Sequence, residues 1–88
     1  MELEELVRNR VLKIVNSKTH FPVKDGYICD KDLRKELHLN EDDIRIIVAQ
    51  LEKYFKILLL DEEINSFKNI NEIVKVILIL EINKNKLI

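Results

Sequence analysis

With 88 residues, of which 47% are apolar and 35% charged, the chain has the makeup of one small globular domain over residues 1–88 and not of a disordered tail. The 15 basic and 16 acidic residues leave a formal net charge of -1, too weak a field to favour nucleic acid or acidic lipid. A single Gly and a single Pro give too little turn chemistry for a many-stranded β fold, while abundant Leu, Ile, Glu and Lys favour long helices. The lone Cys29 cannot form an internal disulfide, which makes a reducing cytoplasm the expected compartment. The N-terminus is acidic where a secretion signal would be basic. The longest apolar run, Val76 to Leu80, falls far short of the ~20 residues a membrane span needs.

Leu3, Val7, Val11, Ile14 and Val15 recur at helical spacing, with Glu2, Glu4 and Glu5 at the end where negative charge suits the helix dipole. They predict a helix over about 3–16. Residues 17–29 show no period and hold the only Pro and the only Gly, so they read as a long loop that Phe21, Val23, Tyr27 and Ile28 pin to the core. Asp30 to Leu37 fits a short helical turn burying Leu33 and Leu37. The clearest helix runs from Asn40 to Phe55: Asn40 caps it, Asp43 stands at the reciprocal capping-box position, and Ile44, Ile47, Val48, Leu51 and Phe55 form one stripe.

Ile57 to Leu60 is too short to assign by period. Asp61-Glu62-Glu63 opens a brief helix reaching Phe67. Asn69 and Glu72 repeat the capping-box pattern before Ile70, Ile73, Val74 and Ile77. The β-branched run Val76 to Ile82 is apolar on all sides and fits either a helix end or a strand. The tail from Asn83 to Lys86 is expected to fray.

Three long helices, one short helix and a long first loop match the layout of an acyl carrier protein. Asp32-Leu33-Arg34-Lys35-Glu36-Leu37 is similar to the stretch before that family's attachment site, and Arg10 to Val15 to the end of its first helix. Val48-Ala49-Gln50-Leu51-Glu52-Lys53-Tyr54-Phe55 resembles its second helix, which commonly ends in Leu-Glu-x-x-Phe. Leu60-Asp61-Glu62-Glu63 is similar to its Pro-Asp-Glu-Glu, and Ile70 to Val74 to the start of its fourth helix. The resemblance needs no gap from about residue 32 to 78. It implies an all-α, four-helix bundle with a long first loop.

The resemblance fails at one place. The family has Asp-Ser-Leu at the start of the second helix, and its serine hydroxyl accepts a phosphopantetheine arm that bears an acyl chain. Asn40-Glu41-Asp42 stand there in this chain, and residues 38 to 45 contain no Ser or Thr. The expected protein is therefore a non-carrying homologue with no cofactor, which binds a partner protein of fatty-acid or polyketide-type biosynthesis.

Glu41 and Asp42, with Asp43, fit either a docking surface for basic partners or favourable placement at a helix N-terminus. Ile46 falls off the core stripe beside Arg45, where the resembled family has an acidic residue, and is a candidate contact for a partner, although single exposed apolar residues are ordinary. His20 and His38 have no ligand partner at metal spacing. Asp30 beside Cys29 disfavours a reactive thiolate. No nucleophile–base or paired-carboxylate arrangement indicates an enzyme.

A second reading is a winged helix-turn-helix, with helices at about 3–16, 30–37 and 40–55 and wing strands at 57–60 and 76–82. Its recognition helix would open on Asn40-Glu41-Asp42-Asp43 and meet phosphates with charge of the wrong sign, so duplex DNA is not an expected partner. A third is a homodimerising domain using Val76 to Leu80. The conformation of 76–82 separates the first two readings.

Overall fold

The computed structural model describes residues 2–19 and 29–86. Within them the chain forms four helices, α1 (Leu3–Asn16), α2 (Glu41–Phe55), α3 (Asp61–Asn65) and α4 (Ile70–Lys86), and no strand. The described residues are all-α. The expected contacts of Phe21, Val23, Tyr27 and Ile28, and His20, lie outside the described residues.

Local chemistry sets the helix limits. At α2 the Asn40 side chain accepts from the Asp43 backbone N–H at 2.8 Å, and the Asp43 carboxylate accepts from the Asn40 N–H at 3.2 Å. Two donors that a helix start leaves open are thus satisfied reciprocally. Lys56 closes the helix in the left-handed region at φ 55. At α4 the Asn69 side chain accepts from the Glu72 N–H at 2.9 Å. At α3 the Glu63 carboxylate reaches back to the Leu60 N–H at 2.9 Å.

One core joins these elements. α1 contributes Val7, Val11, Ile14 and Val15, α2 contributes Ile44, Ile47, Val48 and Leu51, and α4 contributes Ile70, Ile73, Val74 and Ile77. Phe55, expected on the α2 stripe, is half-buried against that core. α1 packs chiefly against α4 and less extensively against α2. Arg8 fastens the first pair, donating from Nη1 to Asn71 Oδ1 at 2.6 Å.

Residues 76–82 lie inside α4, and 57–60 are irregular, so the paired wing strands of the helix-turn-helix reading are absent from the described residues. Packing overrides β propensity here: Val76, Leu78 and Leu80 rest half-buried on the core around the fully buried Ile77. The expected frayed tail is also corrected, because α4 continues through Lys86. Lys84 Nζ donates to the Phe55 carbonyl at 2.8 Å, satisfying an acceptor that the end of α2 leaves open. α3 stops two residues short of Phe67, which is buried in the core on the connection from α3 to α4. The segment 30–37 makes one helical turn, with the Glu36 and Leu37 N–H groups both donating to the Asp32 carbonyl, and it buries Leu33 and Leu37. No helix among the described residues is long and apolar enough to cross a membrane.

Candidate functional site

The start of α2 is assembled from three stretches of chain. The turn before it is shaped by Asp32, whose carboxylate accepts from the backbone N–H groups of Lys35 at 2.8 Å and Arg34 at 2.9 Å. Those bonds, the Lys35 one foremost, hold the Asp32 carboxyl below its ordinary pKa. His38 then takes a left-handed conformation at φ 57, a region histidine tolerates better than most residues, and the Leu39 N–H turns back to the Leu33 carbonyl at 3.0 Å. That reversal delivers the chain to Asn40 and its cap.

Arg34 ties the site together. Its Nε donates to Glu41 Oε1 at 2.8 Å, and its Nη1 donates to the Phe67 carbonyl at 3.2 Å. One planar guanidinium, with its donors in a fixed fork, thereby spans the turn, the first residue of α2 and the connection into α4. Backbone bonds run beside it, from the Leu33 N–H to the Lys68 carbonyl at 2.8 Å and from the Asn71 N–H to the Cys29 carbonyl at 3.1 Å. Cys29 is buried at this junction.

The residues singled out from sequence are brought to one end and one side of α2. Glu41 is engaged by Arg34. Asp42 is exposed and pairs with Arg45 at 3.8 Å, a surface contact that adds little to stability. Ile46, 40% exposed, stands one residue further along. Glu41 offers acceptor oxygens only and has no hydroxyl. Among the described residues no group of three His, Cys, Asp or Glu side chains is placed to hold a metal ion. Arg34 was not identifiable as a site residue: its partners are 7 and 33 positions away, and no local pattern links them.

The hydrogen bond and charge of Arg34 hold the Glu41 carboxyl below its ordinary pKa. Because the folded-state value is depressed, this contact contributes fully above the unfolded-state pKa and is lost as pH falls through the folded-state one. In an NMR titration of side-chain carboxyl shifts, the Glu41 midpoint should rise toward the ordinary glutamate value in Arg34→Gln. An unchanged midpoint would show that the ion pair is not formed in solution.

Neither a protein-family model nor a curated protein matches the chain.

Proposed function

We propose that the chain is an acyl-carrier-like domain that no longer carries phosphopantetheine and acts by docking, through the start of α2, onto a protein partner of fatty-acid or polyketide-type biosynthesis. The observation that carries this reading is Glu41. It occupies the position where the resembled family has its serine, at the first residue of α2, and it is held by Arg34 at 2.8 Å. The order of three longer helices and one short one, with 76–82 helical, supports the same scaffold. Asp42, Arg45 and Ile46 supply both charge signs and an apolar side chain on the adjoining exposed turn, the mixture a polar-rimmed protein contact uses.

Carriage requires a hydroxyl that attacks the pyrophosphate of coenzyme A. A carboxylate at that position is a poor nucleophile and repels the phosphate. Incubation with a promiscuous phosphopantetheinyl transferase and coenzyme A should leave the intact mass unchanged. The triple variant Asn40→Asp/Glu41→Ser/Asp42→Leu rebuilds the family's recognition residues and keeps a helix cap, since Asp caps about as well as Asn. It should gain the arm where Glu41→Ser alone gains little. Loading of the unaltered protein, traced to any residue by peptide mapping, would refute the non-carrying reading, and a triple variant that stays unloaded would refute the register.

A further inference from the structure

The opposite end of α2 presents a surface of different character. Leu3 and Leu6 of α1 flank a groove of about 330 Å³ whose far wall is Tyr54, at the end of α2. Leu6 is 51% exposed and Tyr54 52%, so two large side chains with apolar bodies leave much of their surface uncovered side by side. Arg10 lies over the Tyr54 ring, 4.1 Å from its centroid, and Tyr54 stands edge-on to Phe55 at 4.9 Å. The groove is thus a held shape, not a loose collection of side chains. A second hollow, sharing Arg10 and Tyr54, extends it toward Lys53.

Its charge is one-sided. Arg10, Lys13 and Lys53 rim the two hollows, and none of them pairs with a carboxylate among the described residues. The one carboxylate in the lining, Glu81, is already paired with Lys84 at 3.4 Å. On a chain of net charge -1, three cations gathered around exposed apolar side chains mark a local patch and not a general excess of base. Along α1 the pattern is graded: Leu3 and Leu6 are followed at helical spacing by Arg10 and Lys13.

We propose that this groove docks an acidic amphipathic helix of a partner protein, its apolar face on Leu3, Leu6 and Tyr54 and its carboxylates toward Arg10, Lys13 and Lys53. A helix laid in a groove between two helices is a common mode of recognition, and complementary charge at its rim sets orientation and on-rate. A second copy of this chain is the poorer occupant, because a two-fold contact would bring the three cations against their own images. This surface is independent of the Glu41 surface, and neither depends on the other being correct.

The test uses a fluorescein-labelled peptide of about 15 residues, long enough for roughly four helical turns, with Leu at heptad-like spacing and Glu elsewhere. In fluorescence anisotropy it should bind the full chain and release with added salt. A matched peptide with Lys for every Glu should not bind. Lys13→Glu/Lys53→Glu, at two exposed positions, should weaken binding about tenfold or more, and Leu6→Glu should weaken it independently. Circular dichroism confirms that each variant remains helical. Equal binding of the Lys peptide, indifference to the charge reversals, absence of binding, or self-association through this face by light scattering would each overturn the proposal.

Discussion

Phe67→Ala should destabilise the domain by about 3–5 kcal/mol. The ring is 1% exposed and sits outside any helix, at the junction of α3 and α4, so no regular hydrogen-bond ladder holds the backbone around it if the ring is removed. Its own carbonyl is the second acceptor of Arg34, and the neighbouring Lys68 carbonyl receives the Leu33 N–H. Loss of the ring therefore opens a large void under the strand of chain that anchors the start of α2. A domain of this size has about 5–10 kcal/mol in total, so the substitution removes a large share of it. Urea denaturation followed by circular dichroism reads the change as a lowered midpoint. A loss below about 1 kcal/mol would mean the ring is not packed in the core in solution.

Leu51→Ala should cost about 2–5 kcal/mol. Leu51 is 0% exposed on the inner face of α2, within the single core it shares with α1 and α4. Alanine is the better helix former by a few tenths of a kcal/mol, so the net loss isolates packing from propensity. Gln50→Ala, one position away on the exposed face, is the matched control and should stay within about 0.5 kcal/mol. If the two variants unfold at similar urea concentrations, the inner face of α2 is wrongly assigned.

Much of this arrangement was legible because the sequence marks it locally. The valines and isoleucines of 3–16 repeat on one face, and Asn40 with Asp43 announces the start of α2 by a three-residue spacing that the hydrogen bonds reproduce. Residues 76–82 were ambiguous for a physical reason. Ile77 is buried, Val76, Leu78 and Leu80 are half-buried, and Ile79 and Ile82 are exposed although apolar, so no clean polar face reveals the helical period. The anchoring of Lys84 on the Phe55 carbonyl was invisible because it joins the ends of two helices 29 positions apart. The candidate site divides in the same way. The exposure of Ile46 followed from its place off the α2 stripe, whereas the Arg34 bridge and the Arg10–Tyr54 stack exist only once separate segments have packed.

The pairing of α1 chiefly with α4 also bears on how the chain is born. α1 leaves the ribosome long before its main partner α4, and the Arg8–Asn71 bond closes 63 positions. Until α4 emerges, the Val7, Val11 and Val15 stripe of α1 has nowhere complete to hide, and a nascent chain in that state invites chaperones or stray association. The entropic toll of such a closure is small, growing by only about 0.6 kcal/mol for each doubling of the loop. Synthesis order, more than loop length, therefore decides when this domain first becomes stable, because α1 cannot bury its apolar stripe fully until Ile70–Lys86 is free to pack on it.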